Sequence, residues 1–374
     1  MTRICNTYNG CNLAQGFPDF DPPLEITEAA IEAIRAGYNQ YAVTFGEPHF
    51  REAISEKVLS HNNIKCDPAT DITVTCGATE AMIATLKAII NPGDEVVIFE
   101  PFYENYGPDC ILSGATPKYV TLHAPDWNYD PDDLSAAFND STKAIVINTP
   151  HNPTGKVFSK KELEFISELC IKWDVYAVTD EVYEHILYDD AEHISIASLP
   201  EMNDRTITIN SMSKSYSVTG WRVGWAIANK DITSGIKKVH DFLTVGAARP
   251  FHEAGVVAMK MPQSYYADLR QTYDNARSML YEDLINAGFV CEKPKGAYYI
   301  MCENDNLMAL LGARDDHQFA RHLIEAAGVA AVPGSSFYSS AGKGVNQLRF
   351  CFSKSANTLI KVKDCFGRLS GLTA

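Results

Sequence analysis

The sequence has no CxxC pair, no long apolar run, no surplus of basic residues and no repeated or low-complexity segment. Each absence removes a class of protein. Ten cysteines are scattered from Cys5 to Cys365, and without CxxC spacing they do not outline a zinc ribbon. Their expected state is free, mostly buried thiols in a reducing cytoplasm. No apolar run reaches the ~18–20 residues of a membrane span. The opening Met1-Thr-Arg-Ile-Cys-Asn-Thr-Tyr8 lacks a signal-peptide core, so a cytoplasmic location is expected. A net charge of −15 leaves little basic surface for nucleic acid or an anionic membrane. It leaves room for a positive pocket around a small anion. The missing 20–50-residue period excludes solenoids and propellers.

What the chain does contain is ordinary globular material. Its 374 residues are 46% hydrophobic and 21% charged, enough for a large core and two or three domains. From Ile72 onward short apolar runs alternate with helical patterns. Strands are expected at 72–75, 95–99, 118–122, 144–148, 175–179, 206–210 and 223–228. Helices are expected between several of them, including one opened by the capping box Ser159-Lys-Lys-Glu162. Seven strands with helical crossovers make an α/β domain with a mostly parallel, doubly wound sheet. Past about residue 262 helices dominate, with strands at 295–301 and 347–352, which indicates a smaller α+β domain. The expected division is 38–262 for the large domain and 1–37 with 263–374 for the small one.

Ligands bind such sheets beyond the carboxyl ends of the strands, and the chemically active residues cluster there. Gly77-Ala-Thr-Glu80 follows the first strand, and Glu100-Pro-Phe-Tyr103 the second. Asn148-Thr-Pro-His-Asn-Pro-Thr-Gly155 follows the fourth, Asp180-Glu-Val-Tyr183 the fifth, and Ser211-Met-Ser-Lys214 the sixth. Lysine in a tight polar turn is ordinarily a solvated loop residue. Partly desolvated, or beside a cation such as Arg222, its amine loses protons more easily and attacks an aldehyde.

A pyridoxal phosphate site makes use of every one of these residues. Lys214 holds the aldehyde as a Schiff base, and Asp180 keeps the pyridine nitrogen protonated so that the ring draws electrons. Asn152 and Tyr183 suit the ring's 3-oxygen, and Tyr103 suits stacking on the ring. Gly77, Ala78 and Thr79 offer a helix N-terminus to the phosphate, with Ser211 and Arg222 as further donors. Arg349, set among apolar residues in a strand, calls for an anion such as a substrate carboxylate. Each residue also has a plain structural explanation, Asp180 as a cap or Asn152 as turn chemistry for example. Their joint occurrence is what separates the two.

Gln15-Gly-Phe-Pro-Asp19, Asn39-Gln-Tyr41 with Phe45-Gly46, Gly77-Ala-Thr-Glu80 and Asn152-Pro-Thr-Gly155 occur in that order. Thr179-Asp-Glu-Val-Tyr183, Ser211-Met-Ser-Lys214 with Gly220-Trp-Arg222, and Asn346-Gln-Leu-Arg-Phe350 complete the series. With these motifs the chain closely resembles the class I/II aminotransferases of fold type I, over nearly its whole length. His193-Ile-Ser-Ile-Ala-Ser-Leu-Pro200 adds a likeness to the kynurenine, glutamine and methionine branch. The resemblance implies a ping-pong exchange of an amino group between an amino acid and a 2-oxo acid, with a neutral, sulfur-containing or aromatic donor. Lys214, Asp180 and Tyr183 are then the catalytic residues. It implies a homodimer in which Tyr41 reaches the partner's cofactor phosphate, with Gly16, Asn152 and Arg349 at the substrate. No metal is implied.

Two departures bear on specificity. Only 14 residues precede Gln15, so the part of the substrate pocket that an N-terminal segment often lines is expected to differ. Arg249 and His252 stand in Gly246-Ala-Ala-Arg-Pro-Phe-His252 where the resemblance implies smaller or neutral residues. They are either interface residues or contacts to a polar substrate. The rival activities are a β-carbon–sulfur lyase, an aspartate-type aminotransferase, an oxidase and a decarboxylase, since the electron sink serves all of them. An effector-binding regulator on the same fold would need a DNA-binding domain, for which the segment before Gln15 is too short.

Overall fold

The computed structural model describes residues 1–371. Its centre is an eight-stranded sheet in the order Ile72–Thr75, Gly224–Ile227, Thr206–Ser211, Tyr176–Asp180, Thr142–Asn148, Glu95–Glu100, Thr116–His123, Asn128–Tyr129. The strands from Thr206–Ser211 to Thr116–His123 run parallel. Gly224–Ile227 lies antiparallel between Thr206–Ser211 and Ile72–Thr75. All seven expected strands are present. The eighth is a two-residue return after Thr116–His123, too short to leave an alternation in the sequence.

The sheet is buried on both faces, which is why its strands are continuous apolar runs rather than alternating ones. Ile145, Ile147 and Ala177 point to a core shared with Leu163 and Ile166 of helix Lys160–Trp173. Val146, Val178 and Ile207 point to the other core, shared with helices Ala78–Ile89 and Lys230–Leu243. The capping box opens Lys160–Trp173 as expected, the Ser159 hydroxyl accepting from the Glu162 N–H.

The remaining chain forms an antiparallel sheet in the order Tyr299–Glu303, Gln347–Cys351, Val332–Pro333. Helices Gln263–Asn286, Asp316–Ala327 and Ala356–Gly367 cover it. The first of these strands begins at Tyr299, not at Lys295 as expected. The Lys295 and Gly296 N–H groups donate to the Gly155 carbonyl, at 3.0 and 2.8 Å, and are not free for a ladder. Likewise Tyr103 precedes its helix, which starts at Tyr106.

The N-terminal residues divide between the two cores. Cys11–Asn12 pairs with Val329–Ala330, and the Leu13 carbonyl accepts from the Cys351 N–H at 2.8 Å. Helix Leu24–Arg35 instead lays Ile26 and Ala30 in the cluster of Phe50, Trp225 and Ala254, against helix Arg249–Met259.

Candidate active site

Parallel strands in register end together. Asn148 and Asp180, the last residues of neighbouring strands, are direct partners, and Ser211 closes the next strand. Gly224 begins the antiparallel strand at the same edge, paired with both Ser211 and Thr75. That antiparallel strand therefore starts where its neighbours stop, and it brings Arg222 beside Gly77 and Lys214. A cavity of about 240 Å³ lies over this edge. Every residue expected at the site lines it except Gly77 and Tyr41.

Gly77 stands just behind the lining. Its φ of +85° is a left-handed conformation that glycine adopts without strain, and a Cβ there would overlap the Arg222 guanidinium. It caps helix Ala78–Ile89, whose first residues Ala78 and Thr79 face the cavity. Arg222 donates to the Thr219 carbonyl at 2.9 Å and lies 3.5 Å from the Thr79 hydroxyl. Free N–H groups at a helix start, a serine and a guanidinium make a cradle for a phosphate.

Lys214 is buried. Its Nζ lies 3.3 Å from the Gly16 carbonyl and 5.7 Å from the ring centres of both Tyr183 and Tyr298. Burial lowers its pKa to about 8, with Cys351 and Asp180 opposing and Arg222 and Arg349 adding to the depression. Arg222 does act in the expected direction, but desolvation comes first.

Asp180 is also buried. It accepts from the Tyr106 hydroxyl at 2.8 Å and the Val182 N–H at 3.3 Å. Burial raises its pKa to about 6, and the hydrogen bonds and Lys214 only partly offset this. It makes no ion pair among the described residues, so a protonated ring nitrogen would supply the missing cation.

Arg349 is 7% exposed. It donates to Asn152 Oδ1 at 2.8 Å and to the Ala14 carbonyl at 3.1 Å, between the rings of Tyr299 and Phe337. Its Nε has no partner. A buried guanidinium that lines a cavity is suited to a carboxylate.

Asn152 is in turn placed by Asn148, whose Oδ1 accepts from the Asn152 N–H at 2.7 Å and whose Nδ2 donates to the Asp180 carbonyl at 2.9 Å. The Tyr183 hydroxyl sits 3.2 Å from that of Tyr299. Tyr103 lines the cavity edge-on to Tyr106. The carbonyl of Gly16 accepts from the Tyr298 hydroxyl at 2.8 Å, and Lys354 donates to the Phe17 carbonyl at 2.8 Å.

Tyr41 lies outside this cavity and is 83% exposed. Arg249 and His252 lie outside it too. Arg249 is 3.6 Å from Glu47 and stacks over Tyr38. His252 is buried against Phe50 and accepts from the Glu47 N–H at 3.4 Å, and burial lowers its pKa to about 4.

Sequence reasoning gave Asn148 no role beyond its place at a strand end, and it missed Tyr106, Tyr298 and Tyr299 as site residues. Asn148 ends an apolar run, a signal used for Asp180 and available here as well. Tyr106 follows Tyr103 by three residues, the spacing of one helical face. Nothing in the sequence separates Tyr298 and Tyr299 from core aromatics.

Residues 8–362 match the family model for aminotransferase class I and II. A kynurenine–oxoglutarate transaminase of Dictyostelium discoideum is 35% identical, with 96% of this chain and 90% of that protein aligned. The solved structure of N-succinyldiaminopimelate aminotransferase from Mycobacterium tuberculosis superposes with a TM-score of 0.93 at 36% identity, over 100% of this chain and 96% of that one. Escherichia coli YbdL, identified as having a methionine aminotransferase function, gives 0.92 at 31%, over 98% and 94%.

Proposed function

The chain belongs to the class I and II aminotransferases, enzymes that move an amino group to a 2-oxo acid with pyridoxal phosphate, and on that premise we propose how its residues do so and on which donors. When bound, the cofactor supplies an electron sink for the bond broken at the substrate's α-carbon. Lys214 would hold it and carry the α-proton, with an amine whose pKa is already lowered to about 8. Asp180 would hold the ring nitrogen and Asn152 and Tyr183 the 3-oxygen, and Tyr103 would stack on the ring. The start of helix Ala78–Ile89 with Ser211 and Arg222 holds the phosphate. Arg349 orients the substrate by its α-carboxylate, and Gly16 borders it.

The donor class follows from one observation. Arg222 and Arg349 are the only arginines lining the cavity among the described residues, and Arg249 is engaged with Glu47. With Arg222 at the phosphate and Arg349 at the α-carboxylate, no guanidinium in the cavity is left for a second carboxylate. A neutral, sulfur-containing or aromatic side chain fits this, with tyrosines along the walls. The relatives named for kynurenine and methionine are in keeping with that class.

The active unit in this reading is a homodimer. Tyr41 and Phe242 are 83% and 91% exposed, Tyr38 and Val245 are exposed too, and the segments that carry them meet where the Thr44 carbonyl contacts His240. A second copy would cover these residues and place Tyr41 at its partner's phosphate. The same reading divides the chain into 38–262 and 1–37 with 263–374, with helix Leu24–Arg35 packed in the core of the larger unit. No described helix is long and apolar enough to cross a membrane. Ten free cysteines favour the reducing cytoplasm.

The test is an absorbance spectrum of the purified protein with single amino acids added. Methionine or an aromatic donor converts the visible band to that of the amine form, with stoichiometric 2-oxo acid. Conversion by aspartate alone overturns the donor class. Pyruvate and ammonia without conversion indicate the lyase.

A further inference from the structure

Tyr299 is buried, and its hydroxyl lies 3.2 Å from the Tyr183 hydroxyl, with Tyr298 beside it and the Gly16 backbone so near that a Cβ there would overlap it. Its ring lies under the Arg349 guanidinium, 4.2 Å from Cζ to the ring centre. A phenol has one proton to donate. If Tyr183 gives its proton to the cofactor's 3-oxygen, it can only accept from Tyr299. The pair then has one direction, from Tyr299 to Tyr183 to the cofactor.

We propose that Tyr299 is a positioning residue that acts through Tyr183, donating to its hydroxyl so that Tyr183 stays turned toward, and donates more strongly to, the 3-oxygen. The inference rests on the aminotransferase reading of this site. Donation along a chain polarises each member, which strengthens the last bond. Burial pushes the Tyr299 pKa up to about 12 with Arg349 opposing, so the hydroxyl keeps its proton across the working range. A stronger bond to the 3-oxygen favours its anionic form and makes the lysine-bound cofactor easier to deprotonate.

The experiment is a pH titration of the cofactor's visible absorbance in four holoenzymes: wild type, Tyr299→Phe, Tyr183→Phe and the double variant. Tyr299→Phe should raise the spectroscopic pKa by about half a unit, a roughly threefold change in proton affinity. In the Tyr183→Phe background the same substitution should change nothing, because the effect passes through Tyr183. No shift in the first comparison, or an equal shift in both, overturns the proposal. A role in packing alone would lower stability without this dependence on Tyr183. Tyr299→Leu also lacks the hydroxyl and gives the same comparison where the phenylalanine variant does not fold. A wild-type protein that develops no visible band with added pyridoxal phosphate fails the aminotransferase reading itself, a result distinct from an absent shift.

Discussion

Lys214 is surrounded by charges of both signs, and their effects on its amine separate by substitution. Burial and the cations Arg222 and Arg349 lower its pKa, while Asp180 raises it. The amine must be neutral to capture an aldehyde, so capture by the apoprotein should rise with pH around a midpoint near 8, not 10.5. Arg222→Gln removes a cation and should move the midpoint up. Asp180→Asn removes an anion and should move it down. Stopped-flow absorbance of pyridoxal phosphate capture reads the midpoint independently of how tightly the phosphate is held. Shifts of the same sign in both variants would contradict this account.

The helix that starts the phosphate cradle is tied to its surroundings by a charge. Glu80, in the first turn of Ala78–Ile89, accepts from the Cys76 N–H and the Thr244 hydroxyl and pairs with His240 at 2.8 Å. The other ring nitrogen of His240 lies 2.8 Å from the Thr44 carbonyl, on the loop that carries Tyr41. Two acceptors call for two ring protons, the imidazolium form. Burial pulls the His240 pKa down, but the Glu80 hydrogen bond and charge, with Thr44, outweigh it and the net shift is upward. A raised folded pKa contributes stability fully below the unfolded value of about 6.5, and loses it as pH rises through the folded value. His240→Phe should therefore abolish this pH-dependent component above about 6.5. It should also cost about 3–5 kcal/mol at neutral pH by leaving Glu80 buried without its cation. Urea unfolding across pH measures both effects. An unchanged pH profile would show that His240 is neutral in the folded protein.

Across the molecule, the His240–Thr44 contact joins the loop of Tyr41 to the end of helix Lys230–Leu243, and both segments carry an exposed aromatic residue. Phe242 lines no described cavity, yet in the dimer it would lie at the boundary between copies. Phe242→Glu should yield monomers by light scattering. Those monomers should also bind pyridoxal phosphate more weakly, by about tenfold for the loss of one charge-assisted hydrogen bond from Tyr41. Monomers with full cofactor affinity would remove Tyr41 from the partner's site. A wild-type protein that is itself monomeric would remove the dimer.

Most of the architecture was readable before folding because its signals are local. A strand buried on both faces is a run of Val and Ile, as in Ala144-Ile-Val-Ile-Asn148, and the polar residue that stops the run stands at the sheet's ligand edge. Asp180 and Ser211 are visible for that reason, Lys214 and Asn152 because they follow such an end within a few residues, and Arg349 because a guanidinium among apolar neighbours needs an anion. Tyr106, Tyr298 and Tyr299 carry no such mark, since a buried tyrosine reads as packing wherever it falls. Their roles come from what the fold sets against each hydroxyl: Asp180, the Gly16 carbonyl and Tyr183, at separations of 74, 282 and 116 residues. The sequence by itself determined the sheet, its crossovers and the chemistry placed at the strand ends, because hydrophobic period and residue type act over a few positions. Only the tertiary structure decided which hydroxyl meets which partner, that Arg249 turns to Glu47 and that His252 lies away from the cavity. Those contacts depend on how separate elements pack, and no local pattern records that.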